Sequence, residues 1–380
     1  MADISGFCDS RFESLIDVLS AQIDEGEDLG SSVAVTLEGE MVVDIWGGWC
    51  DSERQHPWQH DTITNVWSTT KTMASLCALV LVERGLLDVY APVSQYWPEF
   101  AANGKEQIVV RQVMAHTSGL SGWDQPIAIE DLYNWDVATQ KLAAQAPWWE
   151  PGTASGYHAL TQGYLIGEIV RRVSGRSLGQ FFAQEIAGPL GADFHIGLDP
   201  SQYWRVANVI PPPAVERDHV EAASMAVRTM TSPLITADVA WGDEWRAAEI
   251  PAANGHGNAR SVALIQAIVA NGGTVGGVSL LSPDTINLIF DEQANGVDLV
   301  LGEQTRFGIG YGLIDETVEF LSGGRMDGRI CYWGGWGGSV IVVDVDRRLT
   351  FAYMMNQMAG QVTGNTTADA LATVALSASV

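Results

Sequence analysis

Residues 68–85 read STTKTMASLCALVLVERG, a run that begins at Ser68 and ends at Gly85. From Met73 to Val82 every side chain except Ser75 is apolar, and the run is longer than an ordinary strand. A helix that is apolar on every side is buried on every side. The sequence therefore predicts a core helix over residues 71–84, with the serine and the lysine at its opening.

Runs rich in β-branched and aromatic residues lie near both ends of the chain. They predict a hairpin with a Gly-containing turn near the N-terminus and three further strands near the C-terminus. Amphipathic helices at residues 12–23 and 366–376 lie next to them in sequence. We therefore expect one sheet built from both ends of the chain. The predicted strands are residues 32–37, 41–46, 330–333, 339–345 and 349–355.

The middle of the chain has a different pattern. Helical periodicity, as in residues 158–173, alternates there with long loops rich in Trp, Pro and Gly. We expect an α/β (α+β) fold in which an antiparallel sheet, flanked by helices, is built from both chain ends and carries a mostly helical inserted domain. Residues 1–85 and 257–380 are assigned to the sheet domain and residues 86–256 to the insertion. The functional site is expected between the two domains.

The charge of the chain excludes one class of function. Its 46 acidic and 20 basic residues give a formal charge of −26, so it lacks the cations that bind nucleic-acid phosphates or anionic lipid. The longest apolar stretch, residues 76–82, is far shorter than a membrane span. With 47% hydrophobic and 17% charged residues, the composition is that of a large globular enzyme. No nucleic-acid or membrane partner is expected.

Three sequence patterns predict the location of the protein, the absence of a bound metal or cofactor, and the state of the cysteines. The first seven residues show neither a basic region nor an apolar run, which predicts a cytoplasmic location. The seven histidines show no metal-ligand spacing and no cofactor fingerprint follows a strand, so we expect neither metal nor cofactor. The cysteines lack paired spacing and are predicted to be free thiols, at Cys8, Cys50, Cys77 and Cys331.

The first chemical motif is the spacing of Ser68 and Lys71. Positions i and i+3 share one helix face, which places the lysine amine beside the serine hydroxyl. A lysine desolvated in an apolar setting has a lowered pKa and can accept the serine proton. The alternative is that Ser68 only caps the helix and Lys71 extends its amine to solvent.

Two further segments carry candidate groups. Tyr157 could pass a proton between nucleophile and leaving group, although a single loop tyrosine is more often structural. Residues 333–339, WGGWGGS, contain four glycines that let backbone approach a ligand, and one N–H there could bind an oxyanion. The alternative for this segment is a plain Gly-rich bend. Together with the serine and lysine, the three segments are far more specific than any one of them.

Tryptophans and a second serine complete the candidates. Trp123, Trp149 and Trp336 lie near the motif segments and could line an apolar substrate pocket, although core packing is the default for each. Residues 175–179 match GxSxG, which would make Ser177 the nucleophile. That motif needs a preceding strand, whereas a helix precedes it here, so Ser177 is predicted to begin the next helix.

These motifs, taken together, resemble those of serine hydrolases of the class C β-lactamase and penicillin-binding-protein fold, in particular the family VIII carboxylesterases. Residues 113–120, VMAHTSGL, are also similar to a turn of that family. The resemblance covers nearly the whole chain. It implies a β-lactamase-like fold in which Ser68 is the nucleophile, Lys71 and Tyr157 move the proton, and the N–H groups of Ser68 and Trp336 bind the oxyanion.

Two departures from the β-lactamase pattern bear on the substrate. Ala159 occupies the position of an asparagine amide, and Trp333, followed by Gly334 and Gly335, occupies the position of a lysine that pairs with the substrate carboxylate. Losing a cation and an amide favours neutral esters over anionic β-lactams. Arg260 or Arg306 could supply a substitute cation.

The function predicted from the sequence is a cofactor-independent serine carboxylesterase. It would hydrolyse small, neutral, short-chain esters through an acyl-enzyme on Ser68. The alternatives are a related acyltransferase, amidase or D-aminopeptidase, or a catalytically inactive penicillin-recognising domain used for binding. A homo-oligomer remains open.

Overall fold

The computed structural model describes residues 1–212, 224–314, 328–360 and 364–378. Short and long strands occur throughout this part of the chain. They are β1 (Ile4–Cys8), β2 (Gly30–Leu37), β3 (Glu40–Gly48), β4 (Ile63–Asn65), β5 (Phe194–His195), β6 (Val206–Ala207), β7 (His256–Gly257), β8 (Thr274–Val275), β9 (Val278–Ser279), β10 (Ala294–Val297), β11 (Gln304–Phe307), β12 (Gly312–Leu313), β13 (Ile330–Gly334), β14 (Val340–Asp344) and β15 (Leu349–Met355).

Nine of these strands form one antiparallel sheet in the order β1-β3-β2-β15-β14-β13-β12-β11-β10. β15 pairs with β2 along its whole length, from Leu349 opposite Leu37 to Met355 opposite Ser31. Strands from the two ends of the chain therefore lie side by side. The predicted sheet built from both chain ends is confirmed.

The hairpin of β2 and β3 has a two-residue turn. Glu38 and Gly39 both have positive φ, at 53° and 86°, as a type I′ turn requires, and Leu37 lies opposite Glu40. This turn type matches the right-handed twist of the strands that it joins. The glycine in the predicted turn is thus at a position that favours glycine.

α-Helices surround the strands within the described residues. They are α1 (Ser14–Glu25), α2 (Thr70–Glu83), α3 (Val110–Met114), α4 (Ile129–Leu132), α5 (Trp135–Ala144), α6 (Thr161–Ser174), α7 (Leu178–Phe182), α8 (Gly188–Leu190), α9 (Met225–Met230), α10 (Asp243–Ala247), α11 (Ala259–Ala270), α12 (Pro283–Ile289) and α13 (Thr366–Ala378). None of these helices combines the length and the apolar composition that crossing a membrane requires.

Helices cover both faces of the main sheet. Thr350 of β15 donates a hydrogen bond to the carbonyl of Ala263 in α11 (3.1 Å). Tyr353, three residues later and therefore on the opposite face, donates to Asp28 beside the end of α1 (2.8 Å). Every residue of β15 is accordingly buried. The antiparallel sheet flanked by helices agrees with the predicted fold class.

The core helix α2 is as the sequence predicted, within a residue at each end. It runs from Thr70 to Glu83, its residues from 70 to 81 are all buried, and Gly85 follows with φ 66°, the left-handed conformation common after helices. It packs against α6, α7 and α12. The four cysteines are free thiols, as predicted.

The middle of the chain contributes helices and a second, smaller sheet. Within the described chain, the main-sheet strands all lie outside residues 86–256. The small sheet has the order β5-β7-β4-β6, and its pairing of β4 with β7 joins residues from both sides of the insertion. The division into two domains remains a prediction.

Candidate active site

Ser68 lies in a tight backbone turn immediately before α2. The turn is a single 3₁₀ segment, Trp67–Thr69, and Trp67 has φ 50°, a region that costs a non-glycine residue roughly 1–2 kcal/mol. Two side chains hold this backbone: Thr70 donates to the carbonyl of Trp67 (2.5 Å) and Ser339 donates to that of Val66 (2.8 Å). The serine is therefore presented by a fixed, strained backbone.

Lys71 is fully buried and faces three oxygens. Its Nζ lies 3.0 Å from Oγ of Ser68, 2.7 Å from the carbonyl oxygen of Ala159 and 2.9 Å from that of Ala252. Burial lowers its pKa well below the ordinary value, because the charged amine loses its water. A neutral amine has two N–H groups, which the two carbonyls accept, so its lone pair is directed to the serine hydroxyl.

A second buried lysine shows what a structural arrangement looks like. Nζ of Lys105 faces three carbonyl oxygens and no hydroxyl; its partners are Ala102, Ala143 and Gln145. Three acceptors match the three donors of an ammonium group. Burial lowers its pKa to about 8. Lys71 differs because one of its three neighbours is the hydroxyl of Ser68.

Tyr157 approaches the serine from the other side. Its hydroxyl donates to Oγ of Ser68 at 2.5 Å, and Nζ of Lys71 lies 4.8 Å from the centre of its ring. Burial raises the pKa of Tyr157 above that of a free tyrosine, so the phenol keeps its proton. The lysine pKa is thus lowered and the tyrosine pKa raised, which is how environments separate a base from an acid.

The glycine-rich segment packs directly on the serine turn. Ser339 contacts Thr69 through their hydroxyls (3.0 Å), and a Cβ on Gly335 would lie 2.4 Å from the carbonyl oxygen of Val66. A side chain at this position would push the two segments apart. Glycine is therefore needed here for the close approach of β13 and the serine turn, while Gly334 ends β13 opposite Val340.

Two backbone N–H groups, one in the serine turn and one in the glycine-rich segment, have no acceptor among the described residues. Neither the N–H of Ser68 nor that of Trp336 donates a hydrogen bond within the described residues. Trp336 belongs to the glycine-rich segment, and its ring centre lies 5.0 Å from that of Trp67. An oxyanion site requires such free donors, so both N–H groups remain candidates for that role.

Trp333 forms a wall beside Tyr157. Its ring stacks on His116, with centres 5.2 Å apart and planes at 22°, and lies 6.2 Å from the ring of Tyr157. Phe307 packs on the same ring at 5.7 Å. The motif position at which β-lactamases carry a lysine is thus occupied by an apolar indole in this chain.

The other two tryptophans have their hydrogen-bond partners outside the serine turn. The indole N–H of Trp149 donates to Ala154 (3.0 Å), and its ring would touch a Cβ on Gly156, so it supports the backbone just before Tyr157. Trp123 is 3% exposed, and its N–H donates to Ala138 of α5 (3.0 Å). These contacts place Trp123 in the core among the helices, and none of its hydrogen bonds or ring contacts within the described chain involves Ser68, Lys71 or Tyr157.

Ser177 occupies a structural position, as predicted. It caps the N-terminus of α7, accepting from the N–H of Gln180 (3.3 Å), and its hydroxyl donates to Glu249 (2.6 Å). Gly175 ends α6 with φ 73°. The context of a helix on each side excludes a strand-to-helix nucleophile turn here.

Several groups at this site gave no signal in the sequence. Ala252 contributes only a carbonyl, which any residue type could provide. Asp298, from the loop after β10, accepts the backbone N–H of Tyr157 (2.9 Å). Neither belongs to a motif, so only the folded chain brings them to the site. Within the described residues no group of acidic, histidine or cysteine side chains is placed to hold a metal.

An antiparallel sheet flanked by helices, with serine, lysine and tyrosine meeting at the start of a buried helix, defines a hydrolase of β-lactamase-like fold. The chain belongs to the β-lactamase family, whose model matches residues 15–376. It is similar to the esterase/β-lactamase LipL of Mycobacterium tuberculosis, with 36% identity over 294 residues that cover 74% of this chain and 68% of the relative.

Two solved structures are similar over almost the full length. One is a family VIII carboxylesterase, with 39% identity and a TM-score of 0.93, covering 99% of this chain and 100% of the other. The second is a penicillin-binding protein homologue from Caulobacter crescentus, with 37% identity and a TM-score of 0.91 at the same coverage. Both support the fold, and the carboxylesterase also supports the hydrolase class.

Proposed function

We propose that the protein is a serine carboxylesterase that hydrolyses small, neutral esters through an acyl-enzyme on Ser68. One observation carries the proposal: Oγ of Ser68 lies 3.0 Å from a desolvated lysine amine and 2.5 Å from a buried phenol. A hydroxyl between a base and a proton donor is the arrangement that nucleophilic catalysis uses.

In the first half of the reaction, Oγ of Ser68 attacks the ester carbonyl while Lys71 takes the hydroxyl proton. The oxyanion is bound by the N–H groups of Ser68 and Trp336. When the ester C–O bond breaks, Tyr157 protonates the leaving alkoxide and regains its proton from Lys71. The products of this half are the free alcohol and the acylated serine.

In the second half, water attacks the acyl carbonyl. Lys71 and Tyr157 accept the water proton and return a proton to Oγ of Ser68 as the acyl C–O bond breaks, which releases the acid. The same groups thus act in reverse order, as microscopic reversibility demands. An alcohol or amine in place of water would give acyl transfer, so amidase, D-aminopeptidase and acyltransferase activities use the same groups.

The neutral substrate class is supported by the surroundings of the serine. Trp333 presents an apolar ring beside Tyr157, and the two candidate substitute cations have other partners. Arg260 pairs with Asp44 and Arg306 pairs with Glu292. The family VIII carboxylesterase and LipL are relatives whose names include esterase activity.

Labelling with a serine-directed phosphonate tests the proposal. The expected result is loss of aryl-ester hydrolysis together with one modified peptide, identified by mass as the one containing Ser68. Product analysis with added alcohol or amine then measures hydrolysis against acyl transfer. Absence of both labelling and hydrolysis would instead support an inactive binding domain.

A further inference from the structure

The loop between β10 and β11 is built around one buried carboxylate. Asp298 is 1% exposed, and its Oδ1 accepts the N–H groups of Val300 (2.9 Å) and Leu301 (3.0 Å) of its own loop. Its backbone carbonyl accepts the N–H of Gly302 (2.9 Å). The carboxylate thus fixes the shape of residues 298–302.

The same oxygen reaches out of the loop to the tyrosine. Oδ1 of Asp298 accepts the backbone N–H of Tyr157 at 2.9 Å. A second bond runs beside it, from the N–H of Leu299 to the carbonyl of Ser155 (2.9 Å). The loop therefore holds the chain on both sides of residue 156, and one end of this attachment is the residue whose hydroxyl touches the nucleophile.

The other carboxylate oxygen has no partner. Oδ2 of Asp298 is buried without a hydrogen bond among the described residues, and no described lysine or arginine forms an ion pair with Asp298. Among the described residues, the titratable groups that face Tyr157 are Lys71, His116, His158 and Asp298. Burial lowers the pKa of both histidines, so they remain neutral at physiological pH.

The charge of Asp298 acts on the phenol in one direction. After burial itself, this carboxylate adds to the rise in the pKa of Tyr157, because a nearby negative charge disfavours a second one. A phenol that must donate a proton to a leaving group is useful only while it keeps that proton.

We propose that Asp298 is a positioning residue for Tyr157, whose carboxylate fixes the tyrosine backbone against the nucleophile. The effect on turnover rests on the proposed function.

Two substitutions separate the effect of the hydrogen bonds of Asp298 from the effect of its charge. Asp298→Asn keeps an oxygen that can accept the same N–H groups but removes the charge, whereas Asp298→Ala removes both. We expect Asp298→Ala to lower kcat by at least about tenfold, as for the loss of a hydrogen bond to a charged group, with KM changed much less. Asp298→Asn should recover most of kcat near neutral pH, and its activity should decline at a lower alkaline pH than that of the unsubstituted protein.

A titration tests the effect on the phenol directly. The absorbance change on tyrosinate formation is measured for the unsubstituted protein and for Asp298→Asn, each minus its counterpart carrying Tyr157→Phe. The difference isolates Tyr157, and its midpoint should move to lower pH in Asp298→Asn. An unchanged midpoint would contradict an action of the carboxylate charge on the phenol, whether or not the protein hydrolyses esters.

Asp28→Asn is the matched control. Asp28 is equally buried, with hydrogen bonds to one oxygen and none to the other, but it contacts Ser31 and Tyr353. The Asp28→Asn substitution should leave both kcat and the Tyr157 titration unchanged. Unchanged kcat in folded Asp298→Ala would overturn the positioning role, and loss of folding in that variant leaves the Asn comparison as the test. Failure of phosphonate labelling at Ser68 would count against the proposed function alone.

Discussion

The oxygen of Ser68 has two neighbours that burial drives in opposite directions. The pKa of Lys71 falls because its charged form is desolvated, and that of Tyr157 rises because its neutral form is favoured. These opposite shifts favour the lysine as a proton acceptor and the tyrosine as a proton donor. The apolar run after Lys71 predicted the lowered lysine pKa, but nothing in the sequence predicted that Tyr157 keeps its proton.

Replacing the nucleophile provides the first test at this scale. Ser68→Ala should lower hydrolysis of an activated short-chain aryl ester by at least about three orders of magnitude, because the acyl-enzyme cannot form. Ser177→Ala should retain most of the activity, since that hydroxyl caps α7 and contacts Glu249. Initial rates on folded proteins measure both. Equal losses in the two variants would contradict the assignment.

The pH dependence provides the second. Only the neutral amine of Lys71 accepts a proton, so kcat/KM should rise with pH through the lysine pKa. Because burial lowers that pKa, the plateau should begin well below 10.5, the value of an ordinary lysine. Lys71→Arg should be inactive at every pH, because a guanidinium does not deprotonate.

Lys105→Met is the control for a buried lysine without a nucleophile. It should destabilise the protein, because three carbonyls lose their donor, while the folded fraction keeps its kcat. A rate profile for the unsubstituted protein whose midpoint equals that of a free lysine would contradict the role of Lys71.

At the scale of elements, the contact between β13 and the serine turn controls the site. Gly335→Ala would place a Cβ 2.4 Å from the backbone of Val66. We expect it to displace the turn, with a loss of roughly 1–3 kcal/mol of stability typical of overpacking and a larger proportional loss of kcat. Gly296→Ala, where no atom lies within 4 Å of the added Cβ, should change neither. Thermal unfolding and ester hydrolysis measure the two effects, and full activity in Gly335→Ala would contradict the requirement for glycine.

The elements that were predicted from sequence are those with long, regular patterns. An apolar run typical of only one kind of secondary structure occurs in each of them: the hairpin of β2 and β3, the strands β13 to β15 and the core helix α2. The strands β10, β11 and β12 were not predicted because they have two to four residues with polar or glycine positions. Helix α6 begins at Thr161 rather than at residue 158, because residues 157–159 provide contacts to the serine and lysine.

At the site, too, recognisable patterns were predicted and irregular ones were not. The sequence motifs contain Ser68, Lys71, Tyr157 and the glycine-rich segment, and the folded chain brings these groups together. The carbonyl of Ala252 and the carboxylate of Asp298 are visible only after folding. Trp123 shows the opposite case, because closeness in sequence to a motif does not bring a bulky residue to the site.

For the molecule as a whole, one buried charge affects stability. Asp28 is fully buried between the end of α1 and β15, and burial raises its pKa from 3.8 to about 7. Between these values the folded state binds a proton that the unfolded state releases, so this group's contribution to stability falls as pH rises through that window. Above pH 7 the loss is complete.

Asp28→Asn removes this penalty, because the amide oxygen can accept from Ser31 and Tyr353 without carrying charge. At about 1.4 kcal/mol per pH unit, the rise in pKa corresponds to at most about 4 kcal/mol. The variant should be more stable at pH 8, and its advantage should shrink as pH falls toward 4. Denaturant unfolding at several pH values checks this. A stability difference that is constant across pH would contradict it.

The net charge predicts a preference among substrates. With −26 charges on the chain, anionic substrates meet long-range repulsion that salt screens. For two esters that differ only by a carboxylate, kcat/KM should favour the neutral one, and the ratio should decrease as ionic strength rises. Stopped-time assays at several salt concentrations measure the ratio. A ratio below one would indicate that a cation of the site binds the carboxylate.

Because β2 pairs with β15, the central part of the sheet can form only after the C-terminal strands have been synthesised. Leu37 leaves the ribosome long before Leu349, its partner in the sheet, and at ordinary translation rates the interval is on the order of tens of seconds. During that time the nascent hairpin exposes an open edge of hydrogen-bonding groups, the kind of surface on which chains aggregate. The exposed edge of β2 must therefore be covered, by helices of the nascent chain or by a chaperone, until β15 has been translated.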